Sequence, residues 1–534
     1  MAAAAAGTAP AGAARAPGPA AGAAHPPLSG GARLAGTIAL SAATFMNVLD
    51  TSIANVSLPA IAGDLGVSAN QGTWVITSFA VANAIAVPLT GWMSQRFGQV
   101  RLFVLSIVLF VIASALCGMA PNMATLILLR TVQGFVAGPM IPLSQALLLS
   151  SYPKALAGTA MAAWSMTTLI APVAGPLLGG WLTDNLSWPW IFYINVPVGV
   201  IAALAVWALY RERESVTRKL PIDAIGLALL VIWIGAFQIM LDLGKEHDWF
   251  HSGLIVTLAI VAAVGLAAFL IWELTEEHPV VDLSLFARRN FWTGTLATAV
   301  GYGLFFGTLV LLPLWLQQFM GYTATQAGEV LAPVGLFALI LSPIVGRTMH
   351  KVDPRYYVTI SFIVFAIVMW MRSRYNTQAD YATLMVPTIV QGIAVAVFFV
   401  PLVTITLSGL PPDRIPAASG LSNFARITAG AFGASIGTTV WENQAALHHA
   451  QLVESVREGS AGLADTLSVL QAAGIKGDAA LAVINRMVDT QAFTLAVDDV
   501  FLGAAVLFLL LIPLIWLTRP EKSAGASDAA AGAH

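Results

Sequence analysis

The run LAGTIALSAATFMNVLDTSIANVSLP at residues 34–59 decides the class of this chain. It is long enough for a helix that crosses a bilayer, yet it carries a carboxylate, Asp50. An ionised side chain in hydrocarbon costs roughly 2.5–3.5 kcal/mol on insertion scales, so it is there for a function or sits hydrated near a helix end. Thr44, Asn47, Thr51 and Asn55 follow one another at spacings of three and four, with Asp50 beside them. That spacing draws one polar stripe along an apolar helix and predicts a cavity, not lipid, on that side.

Runs of the same kind recur along the chain. Of 534 residues, 58% are hydrophobic and 10% charged, where a soluble domain carries about 25% charge. Spans are expected at roughly 34–58, 72–93, 101–120, 124–150, 157–181, 189–210, 222–242, 252–274, 291–316, 326–347, 355–373, 382–408, 417–442 and 494–518. An all-α integral membrane protein with fourteen transmembrane helices follows. The segments 1–32 and 519–534 read as tails without structure. With both termini on one side, 17 Lys and Arg fall on that side and 6 on the other, while Arg130 and Arg426 lie within spans. The bias predicts cytoplasmic termini. No basic block dense enough for nucleic acid is present. The single cysteine, Cys117, excludes an internal disulfide, and the histidines show no ligand spacing, so neither a metal nor a cofactor is expected. His448-His449 reads as solvated loop surface.

The chain repeats itself. Gly91-Trp92-Met93-Ser94-Gln95-Arg96-Phe97-Gly98 after the second span matches Gly346 to Asp353 after the tenth in its glycine and its cation five residues on. Val132-Gln133-Gly134 returns as Val390-Gln391-Gly392, and Pro142-Leu143 as Pro401-Leu402, all at an offset of 255–259 residues. Two parallel halves are therefore expected, a six-helix bundle over 33–212 and another over 289–518, with two helices inserted over 213–288. Parallel repeats imply alternating access by rocking of the halves. Within the second half, 443–493 reads as a long outer loop with amphipathic stretches, more than a bare connection needs.

Arg130 is the second buried charge. At 1.5 Å per residue it lies about 9 Å in from the outer face, and Asp50 about 24 Å in from the inner one, which brings the two to similar depth. An ion pair or a shared water network follows from that depth. Burial raises a carboxylate's proton affinity and a nearby cation lowers it, so moving the cation switches the proton. Glu329 near the outer end of the tenth span is a second proton or cation site, or a wet helix-end carboxylate. Arg426 in the thirteenth span binds an anionic substrate or pairs structurally. Ala171-Pro172-Val173-Ala174-Gly175-Pro176-Leu177-Leu178-Gly179-Gly180 in the fifth span is a packing kink, a hinge, or both. Asp223, Asp242, Asp498 and Asp499 read as interfacial.

These motifs resemble those of the major facilitator superfamily, and within it the fourteen-helix drug:proton antiporters of the EmrB/QacA group. Leu49-Asp50-Thr51 through Asn55 to Pro59 resembles that group's first-helix motif. Leu129-Arg130 with Gln133-Gly134 resembles its fourth-helix arginine motif, and Gly175-Pro176 with Gly179-Gly180 its fifth-helix antiporter motif. Gly91 to Arg101, with Arg96 and Gly98, occupies the gating-loop motif, but Gln95 stands where an acid is usual. The resemblance covers about 30–518 and implies a 6 + 2 + 6 fold. It implies proton-driven multidrug efflux of hydrophobic and amphipathic compounds by a secondary active transporter, not an enzyme. Proton coupling falls to Asp50 and Arg130, with Glu329 as the further candidate. A central substrate cavity is implied between the halves, with Asn47, Gln133, Gln145, Trp164, Phe305, Phe306, Phe398 and Arg426 as candidates, and Met166, Trp315 and Phe399 beside them. A greasy lining of this kind gives broad specificity. The implied setting is the bacterial inner membrane, in a tripartite pump with an EmrA-like periplasmic adaptor and a TolC-like outer-membrane channel, and 443–493 is the candidate adaptor contact. A proton-coupled metabolite importer or exporter on the same fold is the alternative. No nucleophile–base pair, metal set or nucleotide loop supports a membrane enzyme.

Overall fold

The structure, a computed structural model, describes residues 26–519 except 68, 154–155, 219–220, 245–246, 350 and 457–460. Most of both expected tails, and the side chains of Asn55, Met166 and Pro176, lie outside the described residues.

The described residues form helices and no strands. The N-terminal half comprises α1 (Gly30–Asp64), α2 (Ala69–Ala86, then Thr90–Phe97), α3 (Gln99–Gly118), α4 (Met123–Ala137, then Met140–Ser151), α5 (Ala157–Asn185) and α6 (Trp190–Tyr193, then Asn195–Tyr210). Two inserted helices follow, α7 (Ala224–Gly244) and α8 (Gly253–Thr275). The C-terminal half comprises α9 (Arg289–Gln318), α10 (Ala324–Leu331, then Pro333–Thr348), α11 (Pro354–Arg372), α12 (Tyr381–Ala396, then Phe399–Leu407), α13 (Ile415–Ser455) and α14 (Asp478–Leu510, then Ile512–Trp516). Among the described residues, ten helices are long and apolar enough to cross a membrane, and the bent pair in α2 makes 11. With α5, α10 and α13 packed among them, all fourteen expected rods are present.

The breaks within rods follow their prolines, which remove a backbone donor and crowd the preceding turn. Pro88 lies at the 63° bend of α2 and Pro139 at the break of α4. The break of α12 at Val397-Phe398 falls at the position that the repeat assigns to the break of α4. Each half is pinned by one intimate helix pair. In the first half, Gly175 and Gly179 of α5 lie on Ser52 and Ile53 of α1, and a Cβ at Gly175 would strike the Ser52 side chain. In the second half, α9 meets α13 at Gly303 and Gly307, where a Cβ would come within 2.7 Å of the Ala429 carbonyl and 2.6 Å of the Gly433 carbonyl. Small residues bring helix backbones close where lipid supplies no hydrophobic drive.

The inserted helices span the seam between the halves. α7 packs on α2, and on α13 through Ser435 Oγ, which donates to the Leu241 carbonyl at 3.0 Å. Trp249 Nε1 donates to Thr439 Oγ1 at 2.9 Å, and the Trp233 ring meets Phe424 edge-on at 5.8 Å. Asp242 is half-buried on α7 and Asp498 half-buried on α14, so neither is a plain interfacial acid.

The described residues of 443–493 are mostly helical and not a loop. α13 stays helical to Ser455, a short helix covers Ala461–Ala472, and α14 starts at Asp478. His448 and His449 therefore sit on a helix. Their Nε2 atoms lie 2.7 Å from Asp499 and 3.3 Å from Asp489 of α14, tying the two extensions together.

Candidate functional site

Asp50 sits inside the N-terminal half, 2% exposed. Asn122 caps the start of α4, accepting from Thr125 N at 3.0 Å. Arg130 and Gln133, three apart on that helix, then face α1 together. Arg130 Nη1 lies 2.6 Å from Asp50 Oδ2, so of the two arrangements that their depth allows, the structure has the direct salt bridge, without solvent exposure. Asp50 Oδ1 accepts from Gln133 Nε2 at 3.1 Å and from Asn195 Nδ2 at 2.8 Å. One carboxylate thus accepts from three donors. Arg130 also donates from Nε to the Val75 carbonyl at 3.0 Å and from Nη1 to Gln133 Oε1 at 2.8 Å. Its guanidinium lies 4.3 Å from the centre of the Phe79 ring. Ser114 and Cys117 of α3 close the cluster. Ser114 Oγ accepts from Asn195 at 3.0 Å, and Cys117 Sγ lies 3.6 Å from Gln133 Oε1.

Asn195 and Ser114 escape a sequence reading. The one signal is an amide inside the apolar run Ile194-Asn195-Val196, expensive in a membrane unless it is satisfied.

The polar stripe of α1 faces α4, not a channel. Thr44 Oγ1 donates to Ser144 Oγ at 2.9 Å, and Asn47 Nδ2 to the Ala137 carbonyl at 3.3 Å. Asn47 and Gln133 thus belong to the packed interior of the half rather than to a substrate cavity. Phe305 and Phe398 are likewise 5% and 1% exposed within the second half, and Trp315 is buried there against Tyr375. Aromatic bulk predicts burial equally well in a core and in a pocket, and here the core took these rings. Phe306 is half-buried and stacked on Tyr302 at 5.6 Å. Glu329 is exposed, accepting from the Tyr381 hydroxyl at 3.2 Å, so it is a helix-end carboxylate and not part of the Asp50 cluster.

A separate cleft lies between the halves. Gln145 and Trp164 line it from the first half, and Thr298, Phe399, Ser422, Asn423 and Arg426 from the second. Arg426 donates from Nη2 to Asn423 Oδ1 at 3.0 Å and lies 4.7 Å from the Tyr302 ring centre. At the end of the molecule that holds Gly30 and Trp516, the cleft is shut. Asn423 and Ser419 both donate to Gln145 Oε1, the first at 2.9 Å. Next to this lock, α13 presses on α2 where Gly91 meets Ala417, and α5 on α10 where Gly158 meets Gly346. Gln145 was foreseen as a cavity residue; Ser419 and Asn423 were not.

The gating-loop motif turns at Gly98, whose φ of +90° favours glycine. Arg96 lies 5.6 Å from the Trp92 ring centre. Gln95 is no acid, but Glu214, after α6, caps the start of α3 by accepting from Val100 N at 3.0 Å and Arg101 N at 2.8 Å. Anions favour helix N-termini. The acid that the motif lacks at Gln95 is therefore near at hand from another segment, out of reach of a local sequence pattern.

Comparison with known proteins agrees with this architecture. The model of the Major Facilitator Superfamily matches residues 40–434. The multidrug export protein EmrB of Escherichia coli is 50% identical over 95% of this chain and 99% of its own length. The fatty acid resistance protein FarB of Neisseria gonorrhoeae is 48% identical over 94% of this chain and 99% of its own. Among solved structures, the human organic anion transporter MFSD10 (TETRAN) shares the fold at a TM-score of 0.58, with 14% identity over 90% of this chain and 99% of its own. A repeat folded into two six-helix halves, a buried aspartate–arginine pair in the first of them and relatives matched over nearly their full lengths together establish that this chain belongs to the major facilitator superfamily, in its EmrB-type branch.

Proposed function

We propose that the protein is a proton-driven multidrug efflux transporter that exports hydrophobic and amphipathic compounds by alternating access. The observation that carries this is the Asp50–Arg130 salt bridge, 2.6 Å long and closed to solvent inside one half. A carboxylate so placed either keeps its cation or exchanges it for a proton, and that choice links proton transfer to helix position. The drug binds in the cleft between the halves, and the shut end of the cleft is one of its two access states. The Lys and Arg bias supports a cytoplasmic position for that end and both termini, and the EmrB-type relatives support a bacterial inner membrane as the setting. Inside-out vesicles test direction. With the interior acidified, labelled drug is expected to accumulate inside; release of preloaded drug under the same gradient favours the importer instead.

Arg426 supports a preference for anionic amphiphiles, since it brings the charge of a guanidinium to the cleft, and one relative is named for fatty acid resistance. Arg426→Gln is expected to raise the KM for a fatty acid about tenfold, the worth of one charge-assisted contact, with little change for a neutral drug. An equal change for both compounds assigns Arg426 to structure alone.

The helical hairpin 443–493 is proposed as the contact for a periplasmic adaptor of the EmrA type, itself leading to a TolC-like channel. Replacing 456–477 with a short linker is expected to preserve transport in proteoliposomes and abolish whole-cell resistance. Survival of both activities removes the hairpin from the assembly.

A further inference from the structure

Arg372 ends α11 and looks from the sequence like a flanking surface cation, yet it has no exposed surface. Its Nη2 donates to Gln391 Oε1 at 2.7 Å and to Thr388 Oγ1 at 3.2 Å. Its Nε and Nη1, and Gln391 Nε2, have no hydrogen-bond partner among the described residues. The Phe501 ring centre lies 5.8 Å away. The Tyr375 phenol lies within hydrogen-bonding reach of the guanidinium, and its hydroxyl is also 3.5 Å from the Leu384 carbonyl. A buried cation with empty donors is costly, so its counter-charge has to be close by.

The first half shows what is absent. Gln391 is the repeat counterpart of Gln133. Gln133 gives its oxygen to Arg130 and its amide N–H to Asp50. Gln391 gives its oxygen to Arg372, and its amide nitrogen has no hydrogen-bond partner among the described residues. α14, whose Phe501 ring meets Arg372, also carries an acid, Asp498. Asp498 is three residues from Phe501, hence on the same helix face. It accepts from the Tyr375 main chain, while its buried Oδ1 has no partner. Around it lie Asp499, which His448 of α13 holds at 2.7 Å, and, from the turn after α11, Tyr375, which also neighbours Arg372. α9 contributes Trp315, which does not titrate.

We propose that Asp498, Arg372 and Gln391 form a second proton-binding site, in the C-terminal half. In the conformation described, Asp498 is the neutral acid and Arg372 stands without a counter-ion. When the O–H bond of Asp498 breaks, the proton leaves to water and the carboxylate moves onto Arg372 and Gln391, taking the site from one positive charge to none. The proposal rests on the proton-driven reading above.

Protons moved per drug molecule, followed with a pH-sensitive dye in proteoliposomes, test it in the wild type, Asp498→Asn, Arg372→Gln, the double variant and Asp50→Asn. Asp498→Asn keeps the shape of the neutral acid and is expected to transport drug with one proton fewer per cycle. Arg372→Gln is expected to slow transport about tenfold, and adding Asp498→Asn to bring it back within about twofold of the Asp498→Asn rate, because two groups that pair are not additive. An unchanged proton count in Asp498→Asn overturns the proposal, as does a double variant no better than Arg372→Gln. If the wild type itself moves no protons with the drug, it is the proton-driven reading that fails, whatever Asp498 does; if Asp50→Asn moves protons like the wild type, only the assignment to Asp50 fails.

Discussion

Asp50→Asn is expected to abolish drug-dependent proton uptake in proteoliposomes, a loss of at least about a hundredfold, or roughly 2.7 kcal/mol in activation terms. Asparagine fills the same volume but carries no charge and binds no proton near neutral pH. It also upsets the bonding. Asp50 takes one donor on Oδ2 and two on Oδ1, from Arg130, Gln133 and Asn195. An amide offers one oxygen to these three groups and turns an N–H toward at least one of them. Arg130 then lies in the half without a counter-charge, and breaking a buried pair costs about 3–5 kcal/mol. A lower unfolding temperature in detergent should accompany the uncoupling. Drug binding should persist, since the cleft lining includes none of these residues. Normal coupled transport by Asp50→Asn would falsify the assignment of the proton to this site.

Gly346→Leu should hold the transporter away from the state described. Gly346 of α10 meets Gly158 of α5 across the two halves, and a Cβ on Gly346 would lie 2.7 Å from the Gly158 carbonyl oxygen and 3.0 Å from its carbonyl carbon. The obstructing atoms are backbone, so no rotamer relieves the clash and the halves must part. Overpacking costs about 1–3 kcal/mol. A bias of that size in a two-state equilibrium changes populations about 5–150-fold. Transport needs both states, so the rate falls with the rarer one. The opening can be read directly by placing a cysteine at Ser422, in the cleft, in a Cys117→Ser background. Labelling from the face that carries the termini should speed up in Gly346→Leu and in Gly158→Leu. Unaltered labelling together with full transport would show that the glycine contact is not part of the gate.

Much of this architecture is legible from residue type alone. A charge in an apolar run is costly wherever its partners are, so Asp50 and Arg130 announce themselves. Fourteen rods and two parallel halves follow from run length and from motifs repeated at one offset. Legibility fails where the decisive quantity is a distance between elements. Arg372 stands at the end of a hydrophobic run, the usual place for a cation that reaches water, and only the packing of α12 and α14 over it makes it buried. The stretch 443–493 is polar enough to pass for a loop, although a polar sequence rich in alanine extends a helix readily. Glu329, beside a hydrophobic span, leaves two readings open in the sequence, and only its exposed helix end decides for the wet carboxylate.

The sequence by itself determined the solvent, the number of rods, the doubling of the chain and the buried charges Asp50 and Arg130, because each depends on transfer energies summed along one segment. Tertiary structure decided that the stripe containing Asp50 looks into its own half, and that the cleft between the halves is lined by Gln145, Asn423 and Arg426. It also decided which side chains share Asp50 and which end of the cleft is shut. A hydrogen bond reaches about 3 Å, and whether two helices bring their side chains that close is settled by how whole helices pack. Asn195 can reach Asp50 only once α6 lies on α1 and α3. No pattern confined to one segment records that approach.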